Sequence, residues 1–268
     1  MDLVDTHCHI QSIDNADDSI SKIWNKDPEI SSESVIKDAV SAKVTKMICV
    51  GTDVDDSQVA VSFVADKEGC YASVGIHPHE AKRYIENIDA KEKFEKLLSH
   101  EKVVAIGECG LDYFYEHSDK KSQETLLRFQ LDMAVKYSLP VIFHVREAYD
   151  DFWPIIADYP EIKGVVHSFT DNVQNVNKAV EHGFFIGVNG ISTFTKEADQ
   201  IDAYKAIPLS NLLLETDSPF LTPKPFRGTI NQPKMVSVVA DFLSDLRNED
   251  RAELAKQTTK NAHTIFNI

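Results

Sequence analysis

Short apolar runs alternate with longer amphipathic runs along the whole chain, and this alternation limits the folds open to it. The segments between the apolar runs have the spacing of helices, and 234–246 and 250–266 are predicted as two closing helices. Strands separated by helices pair in parallel, because a parallel crossover needs a long connection. The chain is therefore predicted to be an α/β protein, with strands near 3–7, 44–50, 70–75, 102–107, 139–144, 163–167, 184–188 and 211–215.

Eight predicted strands favour a TIM (β/α)8 barrel, formed by a single domain over residues 1–268. The 268 residues are close to the roughly 250 that are typical of this fold, and no Gly/Ser-rich or Pro-rich linker divides them. An open doubly wound sheet is the alternative, since one wrongly assigned strand would change the count. The polar, acidic segment from Gln11 to Ser34 is predicted to form a lid or rim loop at the active-site face.

The balance of charge restricts the possible partners. The chain has 43 acidic and 28 basic residues and a net charge of −15, which argues against a protein that coats nucleic acid with its whole surface. An enzyme that holds one phosphate with metal ions and a few basic residues remains compatible. The four cysteines lack CxxC spacing and are expected as core residues in a reducing compartment. Without a signal-like or membrane-spanning apolar run, we expect a cytoplasmic protein with no membrane contact and no obligate protein partner.

Four histidines and two acids follow the apolar runs, where strands are predicted to end. In a (β/α)8 barrel the carboxyl ends of the strands build the active site. Imidazole and carboxylate groups bind transition metals such as zinc or manganese, so the pattern indicates a metal-dependent hydrolase. The candidate metal ligands are His7, His9, Glu108, His144, His167 and Asp217.

The first pair of ligands lies on one strand. His7 and His9 are two residues apart, so they share a face, and Asp5 on the same face could orient one of them. Glu108, between glycines, could bridge two metals; the alternative is a salt-bridged acid at the rim. His144 and His167, at equivalent places after successive strands, fit a second metal.

Two of the candidate ligands, Asp217 and Glu108, are also predicted to be catalytic. A carboxylate at the end of the last strand can contact a metal, take a proton from water and pass it to a leaving group. The alternative is an N-cap of the segment that follows.

Candidate substrate-binding residues lie near these ligands. His77 and His79 follow the third strand and are predicted to contact a phosphate oxygen; the alternative is a turn with two exposed histidines. Arg146, Lys224 and Arg227 are candidate phosphate-binding cations, against the alternative of solvated surface residues. The chain has no GxGxxG, Walker A, HExxH or GxSxG motif.

Six short motifs occur in a specific order, and through them the chain resembles the TatD family of metal-dependent deoxyribonucleases, within the amidohydrolase-like barrels. The resemblance covers nearly the whole chain. The motifs lie at Asp5–His9, Gly75–His79, Gly107–Tyr113, His144–Ala148, His167–Phe169 and Glu215–Leu221.

The resemblance implies two divalent metal ions per chain, which could be zinc, manganese or magnesium. One ion would be held by His7, His9, Glu108 and Asp217, and the other by Glu108, His144 and His167. The implied activity is hydrolysis of phosphodiester bonds in DNA, often as a 3′-to-5′ exonuclease. In the stretch 227–233 two basic residues of the family's pattern are absent and a glutamate is Gln232, which lowers the expected affinity for a polyanion.

Two other functions remain open at this point. The same metals could hydrolyse a different ester or an amide, as in an aminoacyl-tRNA deacylase, and the acidic surface and missing basic pair favour this alternative. The third hypothesis is a barrel that only binds or scaffolds, which the complete set of six ligand candidates disfavours.

Overall fold

The computed structural model describes residues 1–15, 19–115 and 117–268, and in it all eight predicted strands are found. The strand pairs are parallel wherever their register is defined, as expected for strands joined through helices. The strands are β1 (Leu3–Cys8), β2 (Val44–Val50), β3 (Cys70–Val74), β4 (Val103–Asp112), β5 (Val141–Arg146), β6 (Gly164–Val166), β7 (Phe185–Val188) and β8 (Leu212–Leu214).

Helices separate the strands, and several begin at an acidic cap. The carboxylates of Asp53, Asp119 and Asp250 accept hydrogen bonds from backbone N–H groups in the first turns that follow them. Within the described ranges, no helix is both long and apolar enough to cross a membrane. The helices are α1 (Ser21–Trp24), α2 (Ser32–Ser41), α3 (Val54–Val64), α4 (Ala81–Tyr84), α5 (Ile88–Leu97), α6 (Lys120–Tyr137), α7 (Tyr149–Ala157), α8 (Val173–Glu181), α9 (Ala198–Ala206), α10 (Val236–Arg247) and α11 (Arg251–Phe266).

Residue contacts group these elements into two compact units. Unit 1 comprises Met1–Cys49 and Ser168–Ile268, and unit 2 comprises Val50–His167. In unit 2 the strands follow the order β3, β4, β5, β6. In unit 1 the last strand lies beside the first: Thr6 Oγ1 donates to the Leu214 carbonyl at 3.1 Å. First and last strands as neighbours are what a (β/α)8 order requires.

In unit 1, the predicted rim segment Gln11–Ser34 contains a buried anchor. It forms a 3-10 turn at Ile10–Asp14 and the short α1, while residues 16–18 lie outside the described residues. Trp24 is 1% exposed, and its indole N–H donates to the His9 carbonyl at 3.2 Å. The segment therefore supports a candidate ligand; its role as a lid stays a prediction.

In unit 2, two buried glutamines on α6 hold the ends of neighbouring strands. Gln130 accepts from the Ile76 N–H at 2.8 Å and donates to the Ile76 carbonyl at 3.0 Å. Gln123, seven residues earlier and so on the same helix face, makes the same pair of bonds with the Asp112 backbone. Each amide bonds to the backbone N–H and carbonyl of one residue, at the end of β4 or just after β3, and fixes the chain beside the candidate site.

Two strands extend further than the sequence predicts. Glu108 was expected to follow a strand end near 107, yet β4 continues to Asp112. The register shifts between Ile106 and Cys109, and Gly107 and Gly110 have φ values of +140° and +151°. These glycines adopt backbone conformations that are costly for other residues, so the strand passes through a bulge and continues. His144 likewise lies inside β5, which ends at Arg146.

Candidate metal and phosphate site

In unit 2, three imidazoles converge on one oxygen of Glu108. Oε1 of Glu108 lies 2.7 Å from Nδ1 of His144, 2.7 Å from Nε2 of His167 and 3.5 Å from Nε2 of His77. The carboxylate is only 5% exposed. One buried anion surrounded by imidazole nitrogens is a donor set suited to a divalent metal. Ligand atoms of His77, Glu108 and His144 all lie within 4.8 Å of one another.

The protonation states of two members of this cluster, Glu108 and His77, favour metal binding. At His144, by contrast, the effect of burial is outweighed by hydrogen bonds to Asp112 and Glu108, which raise its pKa. Burial alone would raise the pKa of Glu108, but His167 and His77 and hydrogen bonds from the neighbouring imidazoles hold it well below its usual value. Burial and the nearby His144 lower the pKa of His77. An ionised carboxylate and a neutral imidazole are the forms that bind metals.

Asp112 joins this cluster, although sequence reasoning gave it no role. Its Oδ2 lies 2.9 Å from Nε2 of His144 and 3.0 Å from Nε2 of His79. Its Oδ1 accepts from the N–H groups of Phe114 and Tyr115, each at 3.0 Å. Burial opposes its ionisation, but hydrogen bonds from His144 and His79 lower the pKa of Asp112. The signal in the sequence was a second acid, four residues after Glu108 in the same motif.

In unit 1, Asp217 faces both histidines of the first strand. Its Oδ1 lies 3.3 Å from Nε2 of His9 and 3.7 Å from Nε2 of His7. The two imidazoles are buried, whereas the Asp217 side chain is 18% exposed. No described helix begins at Asp217, so the N-cap alternative is wrong. This donor set also fits a divalent metal and leaves one carboxylate partly open to solvent.

Buried Asp5 fixes the backbone that carries these groups. It accepts from Thr216 N at 2.9 Å, from Thr216 Oγ1 at 2.6 Å and from His7 N at 3.3 Å. Burial raises the pKa of Asp5 to about 8. These bonds join Asp5 to the backbone of His7 and to both the backbone and the hydroxyl of Thr216, and its contact with a histidine ring stays a prediction.

Glu215 is a second buried acid that sequence reasoning missed. Its Oε1 accepts from Ser168 N at 2.6 Å and from Asn189 Nδ2 at 3.3 Å. A Cβ at Gly187 would lie 2.1 Å from its other oxygen, so only glycine leaves room for it. Glu215 thus ties together the loops after β6, β7 and β8, and the motif Glu215–Leu221 was its sequence signal.

Nearly the whole chain matches a family of known proteins. A family model described as TatD related DNase covers residues 4–267. The chain belongs to the TatD-related DNase family. One relative of this TatD-related chain is an uncharacterized metal-dependent hydrolase, YabD, of Bacillus subtilis, which is 34% identical over an alignment that covers 99% of each chain. Another is a 3′-5′ ssDNA/RNA exonuclease, TatD, of Erwinia tasmaniensis, which is 34% identical over an alignment that covers 88% of this chain and 93% of the relative.

A solved member of the TatD-related family has the same fold. YjjV, a TatD homologue from Escherichia coli, matches with a TM-score of 0.87 at 30% identity and covers 99% of this chain and 98% of its own. The predicted fold class, a single-domain (β/α)8 barrel, is confirmed. The protein is a metal-dependent hydrolase, and its buried histidine and carboxylate groups can bind metal. The exact domain bounds 1–268 stay a prediction.

His77 and His79 lie inside the unit 2 cluster of this TatD-related protein. Their side chains are 13% and 26% exposed, so the alternative of a turn with two exposed histidines is wrong. Nδ1 of His77 accepts from His79 N at 3.2 Å, and this local bond sets the angle between the two rings. Both rings lie beside carboxylates, and their substrate contacts stay a prediction.

Three of the six arginines, Arg83, Arg146 and Arg227, lie over aromatic rings. The guanidinium of Arg146 lies 3.9 Å from the ring centroid of Phe114, and that of Arg227 lies 4.0 Å from the ring centroid of Phe194. Within the described residues neither forms an ion pair, so their charges are not neutralised by a carboxylate. In contrast, ion pairs with carboxylates are formed by Arg83, Arg128, Arg247 and Arg251.

The stretch 227–233, which lacks the two basic residues, still holds the backbone around Asp217 in place. Asn231 is fully buried, and its amide donates to the carbonyls of Thr216 and Phe220 at 2.9 and 2.6 Å. These bonds hold the backbone on both sides of Asp217. Thr229 and Ile230, which stand at the basic positions, supply no charge there.

Proposed function

We propose that this TatD-related protein hydrolyses phosphodiester bonds of single-stranded DNA with two divalent metal ions, as a 3′-to-5′ exonuclease. The observation that carries the proposal is the convergence of three imidazoles on Glu108 Oε1, with two shortest distances of 2.7 Å. Together with the His7, His9 and Asp217 set, this supplies more ligands than one ion requires.

Each unit offers one ligand set. We assign His7, His9 and Asp217 to one ion, and Glu108, His144 and His167 to the other. The bridging role of Glu108 comes from the family's pattern and stays a prediction, as does the choice among zinc, manganese and magnesium. Two such ions make an attacking water more acidic and stabilise charge on the phosphate oxygens.

Asp217 is the proposed proton carrier. Its partly exposed carboxylate accepts a proton from water as the water oxygen forms a bond to phosphorus. When the bond from phosphorus to the leaving oxygen breaks, Asp217 returns the proton to that oxygen. The buried imidazoles of His7 and His9 hold the carboxylate in place from one side.

The proposed phosphate contacts come from Arg146 and Arg227, which form no ion pair with a described carboxylate, and from the His77–His79 pair. Arg146 and Arg227 present planar guanidinium groups, which match phosphate oxygens with two parallel hydrogen bonds. His77 is neutral, since burial lowers its pKa, so it contributes a hydrogen bond rather than charge.

The proposed substrate class draws on one relative. The Erwinia tasmaniensis relative is named as an exonuclease on single-stranded DNA and RNA. The absence of charge at Thr229 and Ile230 favours the competing proposal, hydrolysis of another ester such as an aminoacyl-tRNA, or of an amide. The cytoplasmic location and the absence of a membrane or protein partner stay predictions.

The test is an assay of the purified chain on 5′-labelled single-stranded DNA with manganese or magnesium, and with EDTA as a control. Asp217→Asn should lower kcat by about 100-fold or more, in the range for loss of a general base. The matched control is Asp199→Asn, an exposed aspartate of unit 1 on α9, which should keep full activity. Equal rates for Asp217→Asn and the wild type would remove the proton-carrier role.

The same preparation should be offered an aminoacyl ester and a small amide. Turnover of the ester or the amide without turnover of any nucleic acid would establish the competing function. Hydrolysis of DNA that stops with EDTA and loses its 3′ end first would establish the proposed one.

A further inference from the structure

Unit 2 carries a pocket of about 480 Å³ next to the metal-ligand cluster. We call it the Tyr115 pocket. Its volume is in the range of small-molecule binding sites. The residues that matter for its chemistry are Lys82, Asp112, Tyr113, Tyr115, His117 and Lys120.

One wall of the Tyr115 pocket is aromatic and open to solvent. Tyr115 is 42% exposed, and its ring stacks on that of His117, with 5.8 Å between centroids and 27° between planes. Phe114, which is 48% exposed, lies beside Tyr115 with 4.7 Å between ring centroids, and contiguous exposed apolar surface marks binding sites. Exposed rings of this kind stack on nucleobases in proteins that bind single strands.

The pocket also offers positive charge. Lys82 and Lys120 are exposed, and neither pairs with a carboxylate among the residues the structure describes. Nζ of Lys120 lies 3.9 Å from the ring centroid of Tyr113. Among the described lining residues, the acids are Asp112, which contacts His79 and His144, and Asp119, which caps the start of α6. The two lysines therefore balance these two carboxylates, in a chain of net charge −15.

A second pocket in the same unit has the opposite character. It measures about 320 Å³ and is lined by Glu92, Glu95, Lys96, Ser99 and Tyr137. There the tyrosine hydroxyl donates to Glu95 at 2.9 Å, and the second carboxylate adds negative charge. The described lining of that pocket carries two carboxylates and one lysine, whereas that of the Tyr115 pocket carries two of each, so the Tyr115 pocket repels a polyanion less.

Direct contacts connect the Tyr115 pocket to the metal ligands. The ring of His79 lies 5.4 Å from that of Tyr115 and 4.2 Å from that of His77. His77 in turn lies 3.5 Å from Glu108 Oε1. A polymer with one phosphate at Glu108 therefore has its neighbouring residue within reach of the pocket.

We propose that the Tyr115 pocket binds the nucleotide adjacent to the scissile phosphodiester of a single-stranded substrate. Its base stacks on the Tyr115 and His117 wall, and its next phosphate faces Lys82 and Lys120. This rests on the proposed function, because it assumes a phosphodiester at the metal cluster. Recognition by stacking tolerates any base, so the pocket selects unpaired strands rather than a sequence.

The first test measures binding without hydrolysis. A fluorescein-labelled oligo(dT) 10-mer is titrated with the full-length protein in EDTA, and fluorescence anisotropy gives Kd. Tyr115→Ala should raise Kd about five- to tenfold, as expected for the loss of one stacked base. Tyr115→Phe keeps the ring and should bind as the wild type does. Tyr137→Ala, in the second pocket, is the matched control and should leave Kd unchanged.

The second test examines the lysines through salt dependence. For Lys82→Gln combined with Lys120→Gln, the slope of log Kd against log salt concentration should fall by about 1.4, from two lost contacts to a single strand. The control is Lys163→Gln, which replaces an exposed lysine of unit 2 just before β6. This single substitution should leave the slope unchanged.

A small diester separates this proposal from the proposed function. With manganese, Tyr115→Ala should raise KM for the oligonucleotide and leave hydrolysis of bis(p-nitrophenyl) phosphate unchanged, because that substrate has no adjacent nucleotide. Failure of the wild type to cleave any phosphodiester overturns the proposed function, while the EDTA titration still reports on the pocket. Unchanged Kd in Tyr115→Ala, no wild-type binding, or an equal loss on both substrates overturns the pocket assignment.

Discussion

The two units hold their candidate ligands in different ways. In unit 1, hydrogen bonds of the main chain join the two segments that carry the ligands: Asp217 N donates to the His7 carbonyl at 2.8 Å, and His9 N donates to the Ser218 carbonyl at 2.9 Å. In unit 2, side chains hold the ligands, because the carboxylates of Glu108 and Asp112 contact the histidine rings directly.

This difference predicts different responses to substitution. Ligands held through the main chain move only if the backbone moves, so changes to their supports should appear in the stability of unit 1. Rings held by carboxylates can reorient while the strands stay folded. Changes to those carboxylates should therefore appear in metal affinity, with little change in stability.

The largest expected effect is that of Glu108→Gln. The variant keeps the volume but removes the anion on which three imidazoles converge, so manganese affinity should fall by more than about 100-fold, beyond the loss expected for a supporting residue. Isothermal titration calorimetry with manganese measures this, with Glu101→Gln, an exposed acid of unit 2, as the control. A variant that binds manganese as the wild type does would contradict the assigned cluster.

A smaller effect is expected for Asp112→Asn. The substitution leaves Glu108 in place but removes the charge that orients His144 and His79, so manganese affinity should fall about 10- to 100-fold. The thermal midpoint of the metal-free protein should shift by only a few degrees, since the strands keep their pairing. Asp89→Asn on α5 is the control, and a large loss of stability without loss of affinity would break the contrast between the units.

The remaining prediction, for Asp5→Asn, concerns the pH dependence of stability, with no change in metal affinity. The pKa of Asp5 is about 8 in the folded chain against 3.8 for an unperturbed aspartate. Between these values unfolding releases a proton, so the contribution of Asp5 to the free energy of unfolding is full below pH 4 and is lost as the pH rises through 8. One proton corresponds to at most about 1.4 kcal/mol per pH unit.

Urea unfolding of the metal-free protein in EDTA between pH 5 and pH 9 measures this slope. Asparagine does not titrate, so the variant should show a flatter dependence than the wild type at similar stability near pH 8. Identical slopes in both proteins would show that Asp5 does not govern the pH response of unit 1.

Much of the fold and the ligand set could be predicted from the sequence, because both depend on local patterns. Apolar runs mark the strands, and two-residue spacing places His7 and His9 on one face. The end of β4 was misplaced because Gly107 resembles a strand terminator, whereas a glycine with φ of +140° lets the strand continue.

Other features depend on contacts between distant residues and could not be predicted. Asp112 touches His79 and His144, which lie 33 and 32 residues away in the chain. Whether an arginine is paired with an acid is likewise decided by tertiary structure, so Arg146 could not be distinguished from Arg128 in the sequence.

The two glycines of the β4 bulge also limit how this protein can diverge. A Cβ at Gly110 would lie 1.9 Å from the His144 carbonyl oxygen, and one at Gly107 would lie 2.5 Å from that of Ile142. Substitution at Tyr115 should therefore leave Glu108 in place and alter only how tightly a strand binds, whereas substitution at these glycines should displace the strand that carries Glu108. In proteins descended from this sequence, substrate binding can therefore change, while Gly107 and Gly110 must be retained because they keep Glu108 in place.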